Sequence, residues 1–175
     1  MNPIPAAGLL IGILCSTWMF MMGFTGWYKD PAKLNLFFIV VLIVMGGLIW
    51  GLRRTAAQGR TYSGQVVAGS QMSLIAGLVI FASSLLFTTV AIPEYFDEVN
   101  AVSRQIMLKE GKTEAEVEQV LDAAAPTQTP LQNALVVSIG TVVRGIAAAA
   151  LIAVWVRAPR ESNLDVPPSS GSAAE

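Results

Sequence analysis

The sequence contains no histidine and a single cysteine, Cys15, among its 175 residues. Histidine is the commonest general base and the commonest transition-metal ligand, so its absence removes the usual route to acid–base catalysis and to metal binding. One cysteine allows neither an intramolecular disulfide nor a thiolate cluster. The chain also lacks a P-loop and a nucleophile elbow. We therefore expect no cofactor, no metal and no haem, and a protein that is not an enzyme.

Charge is scarce as well. Charged residues make up 13% of the chain and hydrophobic residues 54%, whereas soluble domains have about 25% charged residues. The net charge of -1 gives no strong attraction to nucleic acid, so no nucleic-acid partner is expected. Low charge together with long apolar runs indicates a membrane protein, whose first partner is the lipid bilayer.

Four stretches are long enough to cross a membrane, because a helix needs about 20 apolar residues to span a hydrocarbon core of about 30 Å. They are residues 4–28, 34–52, 72–92 (within 61–92) and 131–156. The expected fold class is therefore all-α, a four-transmembrane-helix bundle within residues 1–157.

The distribution of arginine predicts the orientation of these spans. The loop LRRTAAQGR between the second and third stretches contains three arginines, and Arg157 and Arg160 follow the fourth stretch. Short cytoplasmic loops are enriched in Lys and Arg. We expect a multi-pass protein of the bacterial cytoplasmic (inner) membrane with both termini in the cytoplasm, and residues 93–130 on the outer side.

Residues 93–130 have the pattern of an extracytoplasmic helical hairpin. Apolar residues recur at helical spacing from Tyr95 to Ile106 and again from Val117 to Ala124. Gly111 suits a helix end, and Thr113 followed by Glu116 is a capping-box pattern. The acids of this segment are expected to form either a solvated face or a docking surface for a partner or a cation, although no ligand spacing such as that of an EF-hand loop supports a cation site. Residues 158–175, rich in Pro, Ser and Gly, are expected to be a disordered cytoplasmic tail.

Small residues recur four positions apart in all four spans, the spacing that lets membrane helices pack closely. This favours a tight bundle, and it leaves open whether the ridges meet within one chain or between chains. The positions are Gly8 and Gly12, Gly47 and Gly51, Gly69 with Ser73 and Gly77, and Gly145 with Ala149.

Arg144 interrupts the fourth apolar stretch. An arginine at the centre of a span costs about 2.5–3.5 kcal/mol on insertion scales, so partners are expected. The helix rise places Arg144 about 20 Å from the cytoplasmic edge, and its side chain extends outward by snorkelling. We expect a polar cluster with Glu94 and Asp97 at the outer rim and with Ser84 and Thr88 below them. A substrate or anion site and a contact with another subunit remain as alternatives.

The whole pattern resembles a family of uncharacterised four-helix bacterial membrane proteins, known as a domain of unknown function. The resemblance covers about residues 6–157 and rests on three features. The basic turn is followed by TYSGQVVAGSQMSLIAG, the outer segment is IPEYFDEVNAVSRQIMLKEGKTEAEVEQVLD, and a fourth span led by proline ends in a basic residue. The resemblance implies this topology and a bacterial origin, and it brings no site residues.

Two functions from different classes follow. The first is an integral membrane protein of unknown activity that serves as an accessory, assembly or scaffold subunit and acts through contacts with a protein partner or in a homo-oligomer. The alternative is an oligomeric subunit for small-solute or ion transport or permeation, because four spans are too few to enclose a pore alone.

Overall fold

The computed structural model describes residues 2–156, and within this range the regular structure is helical. The six α-helices are α1 (Pro3–Phe24), α2 (Ile39–Ala56), α3 (Tyr62–Leu86), α4 (Tyr95–Lys109), α5 (Glu114–Ala124) and α6 (Pro130–Val156). Short 3-10 segments cover Trp27–Lys29, Pro31–Phe38 and Ala125–Thr127, and a π-helical turn covers Phe87–Ala91. The tail predicted at residues 158–175 lies outside the described residues.

Four of these helices are long and apolar enough to cross a membrane: α1, α2, α3 together with its π-helical turn, and α6. Backbone hydrogen bonds inside a helix satisfy the peptide groups locally, so long apolar helices are compatible with hydrocarbon. The prediction of an all-α chain with four candidate spans is confirmed.

The second span differs from its prediction, since α2 begins at Ile39 and the preceding residues Pro31–Phe38 form a 3-10 helix. The indole Nε1 of Trp18 donates a hydrogen bond of 3.2 Å to the carbonyl oxygen of Leu36. This gives one carbonyl of the segment a partner outside its own helix. A 3-10 helix rises about 2.0 Å per residue, against about 1.5 Å in an α-helix, so the segment still adds length to the span.

The ridges of small residues meet within one chain. A Cβ atom added at Gly12 would lie 2.7 Å from the Cβ of Val79, and one at Gly69 would lie 2.3 Å from the Cβ of Ala149. Helix α3 therefore packs closely on α1 through one face and on α6 through another. Gly47 and Gly51 bring α2 equally close to α1. The sequence leaves open whether the ridges of small residues pack within one chain or between chains. In the structure these ridges pack within one chain.

The close contacts concentrate in the half of the bundle near the α2–α3 turn. Leu48 and Leu52 of α2 and Met72 of α3 are completely buried there, together with Ala68 and Ala149. We call this end the closed half. Its packing follows from the small residues, because helices in lipid associate mainly through close van der Waals contact.

Residues 95–124 form two helices that meet at Gly111, as predicted. Gly111 has a φ of 88°, in the left-handed region that glycine adopts without strain. Thr113 and Glu116 form the expected capping box at the start of α5. The apolar stripe was less accurate: Met107 and Val117 are the buried residues, whereas Val120 is 45% exposed.

Candidate functional site

A cavity of about 350 Å³ lies between α1, α2, α3 and α6, in the half of the bundle nearer to α4 and α5. We call this end the open half. Most of the lining is apolar, and a few polar side chains project from three of the helices. Representative lining residues are Ser16, Met19, Val44, Ser84, Val137 and Arg144.

The cavity exists because α2 changes its character along its length. Gly47 and Gly51 allow close approach in the closed half, but the first turns of α2 present Val40, Val41 and Val44 to the cavity. Branched side chains hold the helix axes further apart than glycine does. The space left between α1 and α6 is therefore not filled in the open half.

The mouth of the cavity lies between α2 and α6. Of the lining residues, Val41 of α2 and Arg144 of α6 are the two exposed ones. Both lie within candidate membrane spans. The cavity therefore opens sideways, toward the position that lipid chains occupy around the bundle.

Arg144 lines this cavity and does not form the expected ion pair. Its Nε donates a hydrogen bond of 2.8 Å to the carbonyl oxygen of Gly140, one turn earlier in α6. Within residues 2–156, no salt bridge joins it to Glu94 or Asp97, and both acids are exposed beside the start of α4. The guanidinium extends toward the end of the bundle next to α4, but it follows its own helix and forms no ion pair with Glu94 or Asp97.

The two predicted hydroxyl groups are separated. Ser84 lines the cavity, and its Oγ accepts a hydrogen bond of 3.2 Å from Nδ2 of Asn133. Thr88 is buried, and its Oγ1 donates to the carbonyl of Ser84 at 2.9 Å. The structure thus brings Ser84 and Arg144 to one cavity and leaves Thr88, Glu94 and Asp97 outside its lining.

Three polar residues of the spans that line the cavity were missed from the sequence: Ser16, Asn133 and Thr141, whose hydroxyl donates to the carbonyl of Val137. Asn133 is an amide near the start of an apolar span, which is itself a signal. Ser16 gave no signal, because a lone serine in an apolar helix usually donates to the carbonyl four residues earlier. Ser16 is 8% exposed, and its Oγ has no hydrogen-bond partner among the described residues.

Aromatic and charged groups close the end of the cavity nearest to α4. Tyr28 and Tyr95 line it, with ring centroids 5.4 Å apart. The hydroxyl of Tyr28 donates to Glu98, and Lys29 Nζ lies 2.6 Å from Oε1 of the same carboxylate. These contacts connect α4 to the segment that follows α1.

The same contacts shift the pKa of the groups involved. The hydrogen bond from Lys29, followed by the one from Tyr28, lowers the pKa of Glu98 below its usual range. Burial, followed by the hydrogen bond to Glu98, raises the pKa of Tyr28. Burial also raises the pKa of Tyr95. At this end of the cavity, the anionic carboxylate of Glu98 is therefore bound by Lys29 and by the neutral phenol of Tyr28.

Within residues 2–156, no group of three or more His, Cys, Asp and Glu side chains is placed to hold a metal ion. A family model, described as a protein of unknown function (DUF4199), matches residues 7–158. The chain belongs to this family. The resemblance inferred from the motifs is confirmed over nearly the predicted range. Comparison of this family member with curated proteins and with solved structures gives no match.

Proposed function

We propose that this protein is an accessory, assembly or scaffold subunit of the bacterial cytoplasmic membrane, and that it acts through protein contacts and not as an enzyme. Its docking surface is the α4–α5 pair, on the extracytoplasmic side. The chemistry of that surface suits a partner with a basic segment.

The observation that carries this proposal is how α4 and α5 are held. Glu98 ties α4 to Tyr28 and Lys29. Asn100 and Gln128 exchange two side-chain hydrogen bonds of 2.7 and 2.8 Å. The pair is thus bound at two points to segments that adjoin the spans, Trp27–Lys29 after α1 and Gln128 just before α6. Such a preorganised surface reduces the entropy lost on binding.

The exposed side of the pair is acidic with apolar residues between the charges. Glu114 is bound to Arg104 at 2.5 Å, and Glu116 caps α5. Leu108 and Val120 are exposed beside the remaining acids. Five acids of the segment are exposed and have no ion pair within the described residues: Glu94, Asp97, Glu110, Glu118 and Asp122.

The alternative, a transport or permeation subunit, needs a path through the membrane. The cavity occupies the open half, and the closed half continues below it with completely buried residues such as Leu48 and Leu52. Its mouth is lateral, between α2 and α6. This geometry supports the contact function over the transport function.

The extracytoplasmic assignment follows from the arginines between α2 and α3, since α4 and α5 follow the next span. Cysteine labelling tests it in a Cys15→Ala background, with single cysteines at Gln58 and Lys112, both exposed. A membrane-impermeant maleimide added to intact cells should label position 112 and not position 58. Labelling at position 58 alone would invert the topology and contradict the proposal.

Charge reversal tests the docking surface. The double variant Glu118→Lys and Asp122→Lys should reduce the size of the native membrane complex after gentle solubilisation, because two attractive contacts become repulsive. The matched control, Gln58→Lys in the α2–α3 turn, should leave the complex intact. A complex of unchanged size in both variants, or a monomer in the unmodified protein, would contradict docking through α4–α5.

A further inference from the structure

The guanidinium of Arg144 has more hydrogen-bond donors than the protein satisfies. Arginine carries five N–H donors, and the Nε donor is used by the Gly140 carbonyl. Within residues 2–156, the two Nη groups have no hydrogen-bond or salt-bridge partner. Arg144 lies near the middle of the 27-residue α6, where an unpaired charge in hydrocarbon is unfavourable. The cavity therefore needs an acceptor that the described chain does not supply.

Ser16 is a second unsatisfied group in the same cavity. Other buried hydroxyls of the spans have a partner. Ser73 donates to the carbonyl of Gly69 at 2.8 Å and Thr141 to that of Val137 at 2.8 Å, while Ser84 accepts from Asn133. Ser16 is buried to a similar degree, lines the cavity and has no partner. An orphaned hydroxyl in an apolar interior costs stability unless a ligand or water satisfies it.

These two groups lie at similar depth in the bundle. Gly12 packs on Val79, and Gly77 packs on Val142, so these positions of α1, α3 and α6 are nearly level. Ser16 lies one turn beyond Gly12 toward the outer end. The guanidinium folds from Arg144 back by one turn in the same direction. The hydroxyl and the guanidinium are thus within about one helical turn of each other in depth, roughly 5 Å.

The remaining walls define what else the ligand contains. Met19, Val44 and Val137 represent an apolar lining, and the mouth opens between α2 and α6 within the spans. A volume of about 350 Å³ is within the usual range for small-molecule sites, which combine apolar walls with a few convergent polar groups. A ligand that reaches this site through the bilayer and satisfies a guanidinium has an anionic head and an apolar chain.

We infer that the cavity binds an anionic amphiphile, whose carboxylate or phosphate is held by Arg144 and Ser16 and whose acyl chain lies along the apolar wall. A free fatty acid and an anionic phospholipid share this chemistry. A guanidinium pairs with either head through two parallel N–H donors.

Trp18 provides a reporter inside the cavity wall. It lines the cavity, and its Nε1 is bound to the Leu36 carbonyl, which holds the ring in place. Replacing Trp27, Trp50 and Trp155 with phenylalanine leaves Trp18 as the single tryptophan. Bromine atoms on an acyl chain quench tryptophan fluorescence at short range. Brominated stearate, at about pH 9 so that its carboxyl is ionised, and brominated phosphatidylglycerol serve as the two anionic probes in phosphatidylcholine nanodiscs.

Brominated methyl stearate and brominated diacylglycerol are the matched neutral probes, with the same chains and no charge. We expect saturable quenching of Trp18 by at least one anionic probe, at a concentration about tenfold or more below that of its neutral counterpart. Saturation by stearate alone identifies the free carboxylate as the ligand head, and saturation by phosphatidylglycerol alone identifies the lipid phosphate.

Variants separate the site from general membrane effects. Arg144→Gln should weaken quenching by the anionic probe about tenfold, Arg144→Lys by less, and Ser16→Ala by about threefold to fivefold. The controls are Arg53→Gln, the same loss of charge at an exposed position, and Ser70→Ala, whose hydroxyl is bound to Val66 of its own helix. If Arg144→Gln fails to fold, the Ser16→Ala and Arg144→Lys variants still test whether these residues bind the anionic head.

Equal quenching by the anionic and neutral probes would overturn the inference. The inference would also be overturned if Arg144→Gln and its matched control showed the same quenching by the anionic probe. Where Arg144→Gln does not fold, the same comparison is made between Ser16→Ala and its control. A loss confined to Arg144→Gln keeps the anion site and removes Ser16 from it.

Discussion

The closed and open halves of the bundle are made from the same four helices, yet one is solid and the other contains a cavity. In the closed half, Gly51 of α2 lies against Ala7 and Gly69 of α3 lies against Ala149, so closely that a Cβ added at either glycine would be within 2.8 Å of the alanine Cβ. In the open half, α2 presents valines, and α1 and α6 enclose a space that contains an arginine. Composition alone does not separate the two, because both halves are apolar.

The difference shows what holds helices together in a membrane. Lipid chains are as apolar as leucine side chains, so burial of apolar area does not by itself drive helices together. Close contact over small residues does, and that is where the chain places Gly51, Gly69 and Gly145. Where α2 has valines in place of such residues, a cavity remains, and polar groups such as Ser16 line it.

The largest effect is expected from breaking the closed half. Gly69→Val adds atoms where a Cβ would already lie 2.3 Å from the Cβ of Ala149, so α3 and α6 must separate. We expect a loss of about 3 kcal/mol in the free energy of unfolding, at the upper end for overpacking. The control is Gly46→Val, because a Cβ there has no atom within 4 Å. Reversible unfolding in mixed micelles measures both, and equal losses would contradict the packing difference.

A smaller effect is expected from a buried polar pair in the closed half. Thr55 Oγ1 donates to Gln65 Oε1 at 2.6 Å, and both residues are completely buried. Thr55→Val removes the donor and leaves the amide oxygen unsatisfied, which should cost about 1–3 kcal/mol in the free energy of unfolding.

The double variant Thr55→Val with Gln65→Leu sharpens this test. Gln65 Nε2 has no partner within the described residues, so replacing both side chains with apolar groups removes the unsatisfied atoms. We expect the double variant to recover most of the loss. Additive losses in the same unfolding experiment would show that the pair is not coupled.

The smallest effect is expected at the rim of the open half, and it depends on pH. The pKa of Glu98 is lowered by Lys29 and Tyr28, so the folded state favours the carboxylate. This contribution is fully present above the ordinary pKa of 4.5 and is lost as the pH falls through the lowered value. Its size is below about 1 kcal/mol, because the lysine side chain is 47% exposed and water screens the pair.

Hydrogen exchange of the α4 amides measures how strongly Glu98 holds α4 to Tyr28 and Lys29. Acidification below the ordinary carboxyl pKa should speed exchange at the start of α4 relative to the spans. Glu98→Gln should show fast exchange at neutral pH and lose that acid dependence, whereas Asp97→Asn, an exposed neighbour, should behave like the unmodified protein. If the acid dependence persists in Glu98→Gln, a titratable group other than Glu98 causes it.

Some features of the site were predicted from the sequence and others were not. Arg144 was singled out because one charge in an apolar span is conspicuous, and its side chain extends along α6 toward the α4 end of the bundle. The expected ion pair with Glu94 or Asp97 is not formed among the described residues. Depth along a helix specifies height and leaves the distance across the bundle undetermined. Ser16 was not singled out, since an unsatisfied hydroxyl is visible only when its neighbours are placed.

Length and composition by themselves determined the four spans, and local motifs determined the break at Gly111 and the cap at Thr113. These are decided by sequence because helical hydrogen bonds and caps join residues that are close along the chain. The tertiary structure alone decided that the glycine ridges close within one chain, that α2 begins at Ile39, and that Arg144 faces a cavity. Such features depend on contacts between residues far apart in sequence, where the rotation and offset of each helix are set by its neighbours.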